Sequence, residues 1–240
     1  MTLPKLTVPT YEVTLPVCNT LVSFRPFLVK EEKLLLMAVQ SKDQETMTRT
    51  ILQILTNCTL TKLNVEQLAV VDIEYLFLHI RSRSVGETIS IQYKCPNLIE
   101  GVVCETSSTY TVDLLSIQPK FYPNHQRTIA LTETVGLTMK YPSLKSLVKI
   151  DFATLESQKL FEFVASNIES IYDANKVYLT KEIPAAEVME FLDTLNSVQS
   201  RKLQEFFETM PQLFATIPFH CPKCQYEELA EVKGLQNFFS

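Results

Sequence analysis

Two stretches of this chain repeat one plan. ISIQYKCP at 89–96 and ATIPFHCP at 215–222 each run from an extended segment through an aromatic and a basic or histidine residue into Cys-Pro. A second cysteine follows each copy, Cys104 in the first and Cys224 in the second, and then a return segment of strand character. Two hairpins that present cysteines at their turns are the build of a zinc ribbon. Zn²⁺ takes four ligands in a tetrahedron, and thiolates suit it. The candidate ligands are Cys95, Cys104, Cys221 and Cys224. The C-x2-C spacing of the second copy is specific, while the C-x8-C of the first is loose. Two readings stay open here, a metal clip or four ordinary thiols, and His220 could replace one thiolate. With four sulfur ligands and no open position, the metal would be structural. It would tie residue 95 to residue 221, and in a reducing compartment such a tie outlasts a disulfide.

The composition narrows what else the chain can be. It has 240 residues, 46% of them hydrophobic and 20% charged, enough to bury a core without a staple. A net charge of −5 disfavours a general nucleic-acid binder, which would carry a basic face. The four glycines are too scattered to cradle a phosphate, so dinucleotide and P-loop readings fail. No charged-then-apolar leader opens the chain, and the longest apolar runs, such as LLLMAV at 34–39, fall short of a membrane span. The expectation is a cytosolic protein with no membrane contact and no small-molecule substrate, its six cysteines serving as thiols or metal ligands.

Alternation at period two predicts strands at 11–17 and 21–27, joined as a hairpin through Cys18-Asn19-Thr20. Helical spacing then predicts helices at 29–40, 44–57 and 71–81, the second capped by Asp43 or Ser41. Asn64 reads as a cap opening a short helix, with Gln67 as its capping-box partner. The helix over 71–81 is mostly apolar and reads as the buried centre of this part. Strands follow at 88–93 and 109–114, then a polar, proline-rich connection over 118–135 and a strand at 136–141. Helices are expected over 154–172 and 184–208, the latter broken near Ser197.

Catalytic groups do not assemble in the sequence. His79 sits in an apolar helix and His125 in a loop without a neighbouring nucleophile. Asp72 and Glu74, two positions apart, do not share a helix face, so Asp72 reads as a cap or an arginine partner. Cys18 and Cys58 read as small buried residues. Arg81 and Arg83 close a helix, where they satisfy its dipole or meet an acidic or carbonyl-rich partner segment. The terminal Phe238 and Phe239 are either a partner anchor or a lid on the core.

Three stretches carry a family resemblance: FRPFLVKEEKLLLMA, VVDIEYLFLHIRSRSVGETISIQYKCP, and the terminal CPKC with GLQNFF. Together they resemble the baseplate hub subunit or hub assembly proteins of T-even-type tailed phages, the relatives of the gene 26 product. The resemblance covers most of 4–115 and the last twenty residues. It implies a non-enzymatic protein that assembles the hub of a contractile tail, as a hub component or as a chaperone for hub or tape-measure proteins. It implies the host cytoplasm during assembly, or the virion baseplate, as its place. Relatives carry a tighter C-x2-C in the first hairpin, where this chain has Leu98.

The expected fold is α+β: a mainly helical N-terminal part (1–85), a first cysteine hairpin (86–117), a strand and helical part (118–212) and a second cysteine hairpin (213–240). The hairpins would form a zinc-ribbon-like joint in one compact unit. The alternative function is a zinc-ribbon nucleic-acid or transcription accessory factor, against which the negative charge counts.

Overall fold

The computed structural model describes residues 6–148 and 157–233. The chain divides into two units. Unit 1 comprises Met1–Lys120 with Gln212–Ser240, and unit 2 comprises Phe121–Pro211.

Unit 1 opens with the expected hairpin. β1 (Tyr11–Thr14) pairs antiparallel with β2 (Leu21–Phe24), Val13 facing Val22. Alternation buries Val13, Val22 and Phe24. The connecting turn is held from beneath. The Asp72 carboxylate, fully buried, accepts hydrogen bonds from the Val17 and Cys18 N–H groups at 2.8 and 3.0 Å. Asp72 therefore caps a turn rather than pairing with an arginine.

α1 (Val29–Ser41) and α2 (Gln44–Cys58) follow. At the start of α1 the Glu31 carboxylate accepts from Leu28 N–H at 2.8 Å and from Arg25 at 3.0 Å, so this buried acid caps the helix and carries its counter-ion. Asp43 caps α2 by accepting from Thr46 N–H at 2.8 Å. The turn Val65–Gln67 is 3₁₀, and Asn64 makes no side-chain cap there. The expected capping box is replaced by a backbone bond from Gln67 N–H to the Asn64 carbonyl. α3 (Val70–Ser84) is the buried centre, with Ile73, Leu76, Phe77, Leu78 and Ile80 at 0–1% exposure.

After α3 come β3 (Thr88–Lys94), the short β4 (Leu98–Ile99) and β5 (Val102–Val103), β6 (Ser107–Asp113) and β7 (Pro119–Lys120). β3 pairs with β6, and β4 with β5.

Unit 2 contains β8 (Thr128–Ala130), β9 (Gly136–Met139), α4 (Leu144–Val148), α5 (Ser157–Ser166), β10 (Ile168–Tyr172), β11 (Val177–Leu179), α6 (Ala185–Asp193) and α7 (Ser197–Thr209). Its four strands form one antiparallel sheet in the order β11-β10-β9-β8. The helices cover it around a core of Leu137, Met139, Ile168, Val188, Leu192, Leu203 and Phe206. The second half is thus not mainly helical. The expected helix over 154–172 ends at Ser166, and its last part is strand β10. The break near Ser197 is real: Asn196 caps α7 by accepting from Gln199 N–H at 3.0 Å.

The chain then returns to unit 1 as β12 (Gln212–His220) and β13 (Glu227–Lys233), in a sheet ordered β13-β12-β7. β7 and β12 pair directly, Lys120 opposite Gln212, so the chain leaves unit 1 and re-enters it on adjacent strands. The protein is α+β, and among the described residues no helix is long and apolar enough to cross a membrane.

Candidate metal centre

Both cysteine hairpins form within unit 1. The β3–β6 ladder runs to Lys94 opposite Ser107, and the β12–β13 ladder to His220 opposite Glu227. Cys95 and Cys221 are each the first residue beyond the ladder. Strand alternation turns the residue before each one, Lys94 or His220, to solvent and buries the cysteine.

The two turns are the same turn. In the second, Cys221 N–H donates to the Tyr226 carbonyl at 2.8 Å and Gln225 N–H to the Cys221 carbonyl at 3.0 Å. In the first, Cys95 N–H donates to the Thr106 carbonyl at 2.9 Å and Glu105 N–H to the Cys95 carbonyl at 3.1 Å. Gln225 and Glu105, each just after the second cysteine, are left-handed, with φ of 59° and 50°. The difference is an insertion. Asn97 occupies the place of Lys223, and residues 98–103 then leave and return as the β4–β5 hairpin. Cys104 N–H donates to the Asn97 carbonyl at 2.8 Å and closes that excursion. The loose C-x8-C spacing is therefore a C-x2-C turn with a hairpin set into it.

The four sulfurs converge. All lie within 4.8 Å of one another. Cys95 Sγ is 3.6 Å from Cys224 Sγ, and Cys104 Sγ is 3.9 Å from Cys221 Sγ. Zn–S bonds of about 2.3 Å at tetrahedral angles place sulfurs about 3.8 Å apart, so these spacings suit a metal ion. Cys95 and Cys221 are buried, and Cys104 and Cys224 half-buried.

The surroundings favour thiolate at one side of the cluster. Burial works against ionisation of Cys221, but the N–H groups of Cys224 and Lys223 outweigh it and, with neighbouring thiols, bring it to about 6. Thr106, through its hydroxyl and its backbone, holds Cys104 below the ordinary thiol value. Burial pushes Cys95 up to about 12, with the Asn97 N–H acting against it. Asn97 Nδ2 also donates to Cys224 Sγ at 3.5 Å.

Aromatic residues clamp the hairpins together. Tyr93 and Phe219, each two positions before a buried cysteine, meet edge to face at 4.9 Å. The Tyr93 hydroxyl donates to Glu228 at 2.9 Å, and the Tyr110 hydroxyl accepts from His220 N–H at 3.1 Å. The repeated aromatic before each Cys-Pro was visible in the sequence. That the two would touch was not, nor were the roles of Asn97 and Thr106, which have no counterpart pattern.

The remaining candidates scatter. His220 pairs with Glu227 at 3.0 Å and is no part of the sulfur cluster. Arg83 pairs with Glu87 at 2.6 Å and lies over the Tyr11 ring. Arg81 Nη1 is buried and meets no acceptor among the described residues, and burial lowers its pKa. Phe238 and Phe239 lie outside the described residues. Cys58 is buried, which pushes its thiol up to about 11, whereas Cys18 is exposed, because Asp72 holds its N–H at the outer turn. His79 packs half-buried against Tyr75 at 4.6 Å. His125 bridges the Thr209 and Tyr141 hydroxyls, both at 2.9 Å, inside unit 2. Neither histidine meets a cysteine.

Fold and site together define an α+β protein whose two sequence-distant hairpins bring four thiols to metal-binding distance. The family described as T4 bacteriophage base plate protein matches residues 8–240. The chain belongs to that family and is a phage baseplate protein. No curated protein and no solved structure matches it significantly.

Proposed function

We propose that this protein works without catalysis, as an assembly protein of the baseplate hub, either a hub component or a chaperone for hub or tape-measure proteins. The observation that carries the baseplate reading is the family match over nearly the whole chain. The hub assignment rests on the three stretches that resemble hub proteins, including the gene 26 product. The protein would act in the host cytoplasm during assembly or stay in the virion baseplate, and its partners would be other phage proteins. The four cysteines would hold one structural Zn²⁺. Sulfur-only donors in a closed tetrahedron favour zinc over harder cations and leave no position for substrate. Its role would be to fasten the β3–β6 and β12–β13 hairpins.

The test is a phage carrying a null allele. Under this reading it yields heads and unattached baseplate parts, but no tails with a complete hub. Mass spectrometry of wild-type virions separates the two forms: a component is present, a chaperone absent. Normal tails from the null phage would refute the proposal.

A further inference from the structure

We propose that the β4–β5 hairpin is a docking finger, which inserts into an apolar cleft rimmed by lysine or arginine on another phage protein; this rests on the baseplate-assembly reading above. The equivalence of the two knuckles is the starting point. Both backbone hydrogen bonds that close the Cys221–Tyr226 turn have counterparts around Cys95–Thr106 that involve none of residues 98–103. The sulfur cluster does not need the insertion, so the insertion serves something else.

Its chemistry is that of a contact surface. Leu98 faces Val103 and Ile99 faces Val102 across the ladder. All four are exposed, at 64, 45, 39 and 70% respectively. Side chains of one strand alternate between faces, so neither face of this ribbon is covered by its own chain. A two-stranded hairpin this short is marginal alone in water, and apolar residues gathered on it are the mark of a binding surface. The turn is built to hold the finger straight. Glu100 and Gly101 have φ of 50° and 83°, the left-handed pair of a type I′ turn whose twist matches the strands. At the base, Asn97 and Cys104 join it to the sulfur cluster. A rigid base removes part of the ordering cost of docking.

The charges select the occupant. The only charged residues of 97–105 are Glu100 at the tip and Glu105 at the base. Both are exposed, and neither has an ion-pair partner among the described residues. An apolar finger carrying two unpaired carboxylates fits a cleft of apolar floor and basic rim.

The deletion Δ98–103 converts CPNLIEGVVC into CPNC, the pattern of CPKC, and isolates the finger from the fold. The purified deletion protein should keep the metal content and melting temperature of the full chain. Phage carrying it should fail to assemble tails, as the null phage does. In infected cells, a photo-crosslinking residue at Ile99 or Val102 should join one other phage protein. The attached peptide should be apolar with lysine or arginine beside it, and Glu100→Lys with Glu105→Lys should abolish the adduct. Loss of metal from Δ98–103 would overturn the equivalence of the knuckles on which the inference stands. Normal plating by Δ98–103 while the null phage fails would overturn the finger alone. Normal plating by both would overturn the assembly reading itself. An adduct to a second copy of this chain, or one indifferent to the two charge reversals, would refute the proposed cleft.

Discussion

Under the metal-clip proposal, removing one of the four clustered cysteines should cost this protein a cross-link of long span. Cys95 and Cys224 are 129 positions apart, and a metal between them closes a loop that the unfolded chain would otherwise leave open. Treated like any covalent tie, a loop of that length is worth about 5 kcal/mol of chain entropy. Residues 121–211 form a compact unit of their own, and if that unit stays folded the effective loop is shorter, worth about 4 kcal/mol. For a chain of this size each kcal/mol moves the midpoint by about 2–4 °C, so losing the tie should lower it by about 8–20 °C. The perturbations are Cys221→Ser and, independently, an excess of a chelator. The assay is thermal unfolding followed by circular dichroism, with metal content measured by mass spectrometry on the same samples. Cys18→Ser, outside the cluster, serves as the control. We expect about one zinc per chain in the wild type and the Cys18 variant, none bound tightly in Cys221→Ser, and a matching fall in midpoint with chelator. Zinc present but a midpoint indifferent to its removal would refute the long-loop reasoning. Absence of metal from protein purified without chelator would remove the clip altogether.

Alkylation under native conditions should mark Cys18 first, because it is exposed, and spare Cys58, which is buried with its thiol pushed up to about 11. The four clustered cysteines should react only after chelation, which peptide mapping will show. Glu31 gives a pH test. Burial pushes its pKa up, but Arg25, the Leu28 N–H and Lys30 outweigh that and hold it below its ordinary 4.5. Its contribution is therefore complete above the unfolded value and is lost as pH falls through the folded one. Glu31→Gln should cost about 3 kcal/mol at pH 7 in urea unfolding and much less at pH 3, and a pH-independent cost would contradict the ion pair. Gly136→Ala should destabilise unit 2 by about 1–3 kcal/mol, because a Cβ there would collide with the Tyr172 ring and lie 2.6 Å from the Ile129 carbonyl oxygen. Unchanged stability of that variant would contradict the close approach of the Tyr172 ring and the Ile129 carbonyl to Gly136.

The hairpins at the cysteines were legible because period-two alternation and Cys-Pro turns are local signals. So were α1, α2 and α3, whose apolar residues recur at helical spacing within one continuous stretch. β10 was not read, although its signals were present. The run IESIY ends in the β-favouring pair Ile171-Tyr172, and Asp173 begins a side-chain turn by accepting from Asn175 and Lys176 N–H at 2.7 and 2.9 Å. The amphipathic pattern of α5 runs straight into it and masks the boundary at Asn167. β4–β5 carried a Glu-Gly turn between two apolar pairs, but two residues a side give periodicity nothing to count. The grouping of the four sulfurs was inferred from repetition, and the distances agree with it. Asn97, Thr106 and the Tyr93–Phe219 contact depend on how two hairpins approach each other. No local pattern encodes that approach.

The placement of the cluster fits the way the chain is threaded. Unit 1 is made of two stretches, and everything between Lys120 and Gln212 belongs to unit 2. A protein built this way must recruit its last strands after a separate unit has been synthesised, and long-range pairing of that kind is slow to form. Beyond the packing of β12 against α3 and β6, two contacts bring the returning stretch home. One is the short β7–β12 pairing, with Lys120 and Pro119 opposite Gln212 and Leu213. The other is the cysteine joint with its aromatic clamp. Two paired positions are a weak anchor, whereas a four-thiolate metal site forms only when both hairpins are present and correctly oriented. Metal binding would then report completion of unit 1. It would also fix the base of the β4–β5 finger only in a chain whose second hairpin has arrived. Limited proteolysis of Cys221→Ser follows from this argument. Cleavage should appear first in the returning stretch at 212–233 and in 98–103, with unit 2 left as a resistant fragment. If unit 2 is cleaved as fast as the returning strands, the two stretches of unit 1 do not depend on the joint in the way argued.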